Sequence, residues 1–145
     1  MANNLPAAEP YLLKFEQIGA AETGVLVTSQ QAANLPFAVK RVFWVLNTPS
    51  EVKRGGHANK VTEEIMVALN GAVTVETESR SGQKQTFELN NPAVGLYIPT
   101  YCWLTIKFAP ATTLLCLAST DFDDADYIQD FEVFRSFQQK VSTQS

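Results

Sequence analysis

"HANKVTEEIMVALNG", His57 to Gly71, is the stretch from which the fold can be read. Its second half is an apolar run, Glu64 to Leu69, closed by Asn70-Gly71, a dipeptide that favours a two-residue β-hairpin. "AVTVETE" (Ala72–Glu78) follows, and alternation puts Val73, Val75 and Thr77 on one face of a returning strand. In the first half, His57 and Asn59 stand two residues apart, so on a strand both side chains leave the same face. His57 is the chain's single histidine.

Outward from this hairpin the same grammar repeats. "GVLVTS" (Gly24–Ser29) is β-branched, and "AVKRVFWVLN" (Ala38–Asn47) is rich in Val, Phe and Trp. "NTPSE" (Asn47–Glu51) is a turn cluster in which Pro49 opposes strand continuation. "KQTFEL", "NNPAVGLYIP", "CWLTIKF" and "TTLLCLAS" give further short strands separated by turn residues. The total, about eight or nine short strands with turns every 8–12 residues, is the pattern of an all-β sandwich or barrel. Only "DFDDADYIQDFEVFRSFQQK" departs from it. There Tyr127, Phe131 and Phe134 fall at i, i+4 and i+7 with Ile128 widening the stripe, which predicts a short C-terminal helix capped by Asp123 or Asp124. The whole chain, 1–145, reads as one domain with 1–10 as a loose lead-in.

Bulk composition narrows the partners. With 46% hydrophobic and 18% charged residues the chain has the make-up of a globular protein. A net charge of −4 argues against a nucleic-acid or anionic-membrane surface, each of which needs clustered Lys and Arg. No apolar stretch approaches the roughly 18 residues of a membrane span. The first ten residues have neither the basic nor the apolar region of a signal peptide. Cys102 and Cys116 sit in apolar runs without metal-type spacing, as buried thiols in a reducing compartment do. The expected location is the cytoplasm.

Written as a pattern, His57, Asn59, Glu64 and Gly71 give H-x-N-x4-E-x6-G. This resembles the first motif of the cupin superfamily, H-x-H-x4-E-x6-G, with Asn59 in place of the second His. The resemblance implies a cupin-type β-barrel, a jelly roll. In many cupins such positions bind a metal together with a later His. The second motif, laid on Pro99, puts that His at Leu104, and Tyr101 replaces its usual Gly. With Leu104 apolar and Asn59 a weak transition-metal ligand, no metal and no cofactor is expected.

The resemblance narrows over Phe37 to Phe134. "KRVFWVLN", "RGGHANK", "LNGAVTVE", "NNPAVGLYIPTYCW" and "LASTDFDDADYIQDFEVF" are similar to the sugar 3,4-ketoisomerases, the WxcM-like cupins acting on dTDP-4-keto-6-deoxyglucose. What this implies is a carbonyl moved from C4 to C3 of a nucleotide-linked hexose through an enediol, without a metal, by homodimers that exchange N-terminal strands. His57 matches the family's first active-site histidine and would be the base, a role that suits a group titrating near neutrality. Asn59, Glu64, Arg41, Arg54 and Trp103 are the candidate substrate-binding residues. Arg41 or Arg54 would face the diphosphate. Trp103 would pack or touch the ligand, and Glu64 would assist, orient His57 or pair with Lys60.

Four positions depart from the family pattern. Asn59 cannot shuttle protons, Leu104 stands where a His often follows the Trp, Thr23 stands where an Arg often precedes Gly, and Gln129 replaces the Arg of D-Y-I-R. They leave two readings open beside the weaker one of a metal-dependent cupin: an isomerase relying on His57, and a non-catalytic cupin binding a nucleotide sugar.

Overall fold

The structure, a computed structural model, describes residues 8–30 and 35–138. Most of the lead-in, residues 1–7, lies outside the described residues, as do the last residues of the expected helical stretch, 139 and 140.

Alternation sorts the side chains and hydrogen bonding sorts the strands. The strands are β1 (Tyr11–Lys14), β2 (Glu16–Ala20), β3 (Gly24–Thr28), β4 (Arg41–Leu46), β5 (Lys53–Asn59), β6 (Glu64–Asn70), β7 (Val73–Glu78), β8 (Lys84–Leu89), β9 (Val94–Ile98), β10 (Trp103–Phe108), β11 (Thr113–Ala118) and β12 (Tyr127–Ile128). One five-stranded sheet has the order β1-β9-β6-β11-β4 and the other β12-β5-β10-β7-β8. The neighbours pair antiparallel, as a jelly roll requires. The ribbon β2–β3 pairs only with itself among the described residues.

The core fills the space between the two sheets. Met66, Leu96, Leu114 and Cys116 from the first meet Val73, Val75, Leu104, Ile106 and Phe108 from the second. Burial follows the pleat: in β7, Val73, Val75 and Thr77 are buried and Glu76 is exposed, the face the sequence predicts. The hairpin between β6 and β7 needs Gly71, whose φ is +75°, because a Cβ there would overlap Thr112.

The C-terminal expectation is corrected in its extent. The α-helix, α1, covers only Phe131–Ser136 and begins at Asp130, whose Oδ1 accepts from the Glu132 and Val133 amides. Asp123 caps a separate 3-10 turn, Asp124–Asp126. Tyr127 and Ile128, the first members of the aromatic stripe, are not helical. Their backbones pair with Asn59 and Ala58 of β5. The spacing was helical, but an extended Asp130 that satisfies the helix's first amides starts it at Phe131, past Tyr127 and Ile128. Phe134 then packs with Ala58 and Ile128 in a satellite cluster.

Candidate active site

A regular strand would separate the two most promising polar residues of β5. Arg54 and His57 are three apart, an odd number, and should leave opposite faces. The register prevents this. Leu104 pairs with His57, Thr105 with Gly55 and Ile106 with Arg54, so Gly56 is left over as a bulge. Gly55 and Gly56 have φ values of +84° and +71°, and a Cβ on Gly55 would lie 2.7 Å from the Leu104 carbonyl oxygen. The Gly-Gly pair thus rephases the strand, and Arg54 and His57 both line one cavity of about 160 Å³ between the sheets.

The same cavity is closed by Phe43 and Val45 of β4, Glu64 and Met66 of β6, Leu104 of β10 and Tyr127 of β12. Glu64 comes from the sheet facing His57, in register with Ala118 of β11. Arg41 partners Ala118 from the other side, so its charge acts on Glu64. The Arg41 guanidinium lies over the rings of Phe43 and Phe122, at 5.1 and 5.6 Å, and its Nε is buried with no hydrogen-bond partner among the described residues. Tyr127 meets the His57 ring edge-on at 4.8 Å.

Burial and neighbours set the protonation states. Desolvation holds His57 below the usual histidine value, against a hydrogen bond to the Gly55 backbone and the negative charge of Asp126, both of which raise it. The lowered value favours the neutral imidazole, the form that can act as a base. Glu64, 4% exposed, is pushed up to about 7 by burial, with Arg41 opposing and Asp126 reinforcing the rise. Burial drives the Cys116 thiol well above its ordinary value.

Asn59 does not line the cavity. Its Nδ2 donates to Asp126 Oδ2 at 2.8 Å, while the Val61 amide donates to Oδ1 at 2.6 Å and the Thr62 hydroxyl to Oδ2. Burial works to raise Asp126, but these donors outweigh it and hold the carboxylate below its normal range. Trp103 is also elsewhere. It alternates with the inward Leu104, and its ring packs on Phe131 and Phe134 at 5.2 and 5.7 Å on the outer face of the sheet. The structure thus brings together His57, Glu64 and Arg54, puts Arg41 beside them, and places Asn59 and Trp103 outside. Among the described residues, no three His, Cys, Asp or Glu side chains converge to hold a metal ion. No described helix is long and apolar enough to cross a membrane.

Phe43 and Tyr127 line the cavity and Asp126 adjoins it, and the sequence reading did not single them out for the site. Asp126 and Tyr127 lie within the D-Y-I that carried the family resemblance, which was the available signal.

Comparison with known proteins identifies the family. Residues 8–139 match the family described as FdtA, WxcM-like, C-terminal. A TDP-4-oxo-6-deoxy-alpha-D-glucose-3,4-oxoisomerase of Aneurinibacillus thermoaerophilus is 34% identical over 120 residues, covering 82% of this chain and 86% of the relative. Among solved structures, the sugar 3,4-ketoisomerase QdtA of Thermoanaerobacterium thermosaccharolyticum, in complex with TDP, superposes with a TM-score of 0.82 at 31% identity, over 89% of this chain and 93% of its own. The TDP-fucose-3,4-ketoisomerase WlaRA of Campylobacter jejuni gives 0.83 at 32% identity, over 91% and 97%.

Proposed function

We propose that this chain, which belongs to the FdtA/WxcM-like family, is a sugar 3,4-ketoisomerase that moves the carbonyl of a TDP-linked 4-keto-6-deoxyhexose from C4 to C3. The observation that carries the reading is His57, its basicity lowered by burial, in a small cavity between the sheets of a chain whose relatives are named for this reaction. The proton on C3 is acidified by the neighbouring carbonyl. The imidazole of His57 removes it, the C3–C4 bond becomes an enediol, and the same imidazole returns the proton to C4 from the same side of the ring. One base serves both carbons because they are adjacent, so the loss of a second histidine at Asn59 does not by itself stop the reaction.

The other residues take positional roles. Arg54 is exposed and lines the cavity, which suits it to the diphosphate at the open end. Arg41 acts deeper, on the groups around Glu64. Asn59 serves the site through Asp126, and Trp103 serves it by packing α1 onto the sheet.

The working unit is a homodimer with exchanged N-terminal strands, and two features support this. Among the described residues, the β2–β3 ribbon joins neither five-stranded sheet and exposes Ile18, Val25 and Leu26. Among the described residues β4 is the end strand of its sheet, and it exposes Val42, Trp44 and Leu46, apolar residues a partner's ribbon would cover. The chain works as one domain, in the cytoplasm.

Proton NMR of the purified protein with TDP-4-keto-6-deoxyglucose in D2O tests the reading. The expected outcome is a 3-keto sugar carrying solvent deuterium at C3 or C4, with turnover abolished and the fold kept in His57→Ala. Saturation transfer to the ligand without any conversion would make the protein a nucleotide-sugar binder.

A further inference from the structure

The isomerisation relocates two protons, and His57 accounts for one. A 4-keto-3-hydroxy sugar becomes a 3-keto-4-hydroxy sugar, so the hydrogen on C3 must reach C4 and the hydrogen on O3 must reach O4. No net oxidation occurs. The carbon-bound proton needs a base at the ring face. The oxygen-bound proton needs a group at the edge of the ring that gives a proton to one oxygen and takes one from the other.

We propose that Glu64 is this second carrier, moving the hydroxyl proton from O3 to O4 while His57 moves the carbon-bound proton from C3 to C4; the inference rests on the ketoisomerase reading above. The two side chains enter one cavity from opposite sheets, His57 from β5 and Glu64 from β6, so a sugar ring between them meets the base on one side and the acid on another. Four neighbouring side chains are unsuited to the task. Asn59 has no exchangeable acid proton near neutrality and is bonded to Asp126. Both oxygens of Asp126 accept hydrogen bonds from its own surroundings, and it does not line the cavity. The Cys116 thiol is held protonated by burial. Leu104, beside His57 in register, is apolar.

The charge balance closes. His57 takes the C3 proton, the C3–H electron pair forms the C3=C4 double bond, and the C4 carbonyl π pair takes a proton from neutral Glu64. This leaves an enediol, an imidazolium and a carboxylate. The carboxylate then takes the O3 proton, C3=O forms, and the C3=C4 pair takes the proton of the imidazolium at C4. Both side chains end as they began. A carboxyl raised to about 7 is poised to give and take at neutral pH. Burial, Arg41 on β4 and Asp126 at the end of the 3-10 turn set that poise, and His57 and Arg54 on β5, Cys116 on β11 and Tyr127 on β12 are the other titratable or charged groups lining the cavity.

Glu64→Gln keeps the shape and removes the proton. Its kcat should fall by about 10²–10⁴-fold with little change in KM. In the wild type kcat/KM should decline as pH rises through about 7, where Glu64 loses its proton, and that alkaline limb should vanish from the residual activity of Glu64→Gln. Circular dichroism checks the variant's fold. Should it not fold, Glu64→Asp decides instead: a shifted alkaline limb supports the proposal, and an unmoved limb overturns it. An active wild type with Glu64→Gln within about three-fold of its kcat overturns the role of Glu64 alone. A wild type that converts no substrate overturns the ketoisomerase reading and this proposal with it.

Discussion

Replacing Asp126 by Ala isolates the contact that ties the end of the chain to the site. Asp126 gathers three donors: Asn59 Nδ2 at 2.8 Å, the Val61 amide at 2.6 Å and the Thr62 hydroxyl. In Asp126→Ala, Thr62 falls back on Thr120, whose hydroxyl lies 2.6 Å away. Asn59 has no such fallback. It is 4% exposed, and leaving its amide unpaired costs about 2 kcal/mol. The Val61 amide belongs to an exposed residue that water can reach, and its loss costs about 1 kcal/mol. The expected destabilisation is therefore about 3 kcal/mol at pH 7. Asp126→Asn should lose only about 1 kcal/mol, because Asn59 can turn its amide oxygen toward the new NH2 group. Urea unfolding followed by tryptophan fluorescence, at one fixed protein concentration, measures both. The pH dependence has a definite sign. Asp126 is held below its ordinary value in the folded chain, so its contribution is present above the unfolded value, about 3.9, and is lost as pH falls through the folded one. The gap between wild type and Asp126→Ala should thus be full at pH 7 and shrink below about pH 4. A loss under about 1 kcal/mol at pH 7, or a gap that does not depend on acid, would refute the reasoning.

Two further substitutions test the placement of the site. Gly55→Ala forces a Cβ to 2.7 Å from the Leu104 carbonyl at a φ of +84°; it should cost about 1–3 kcal/mol and, by disturbing the bulge, depress kcat beyond what the lost stability explains. A melting curve and turnover on the same sample decide this, and full activity would mean that the bulge does not set the phase of His57. Trp103→Ala removes the ring that packs on Phe131 and Phe134 and should cost about 2 kcal/mol in a denaturant melt while KM stays near wild type. A raised KM with unchanged stability would put Trp103 on the substrate instead.

Local pattern carried most of the architecture. The alternation of Val73, Val75 and Thr77, the Asn70-Gly71 turn and the apolar runs that became β9, β10 and β11 depend on the pleat and on turn chemistry, which act over a few residues. The short β1 and β2 escaped notice because few of their side chains are buried, so the sequence pattern holds no apolar alternation to read. The aromatic stripe from Tyr127 misled for a related reason: helical spacing is necessary for a helix, but Asp130 and the open edge of β5 decided where it began.

For the site, the residue types His57, Glu64 and Arg54 were visible from spacing and family resemblance, because a motif records which side chains a strand presents. Their convergence was not. It depends on one unpaired residue, Gly56, that reverses the parity of β5, and a parity change is invisible until the partner strand supplies the register. The bond from Asn59 to Asp126 spans 67 positions, beyond any local periodicity. The perturbed states of His57 and Glu64 come from the two sheets closing over them and excluding water, a property of the packed pair that neither strand has alone. The sequence by itself determined a jelly roll and the residues able to do acid–base chemistry; only the tertiary structure decided which of them share a cavity and which hold a proton there, because register and desolvation arise from contacts between distant segments.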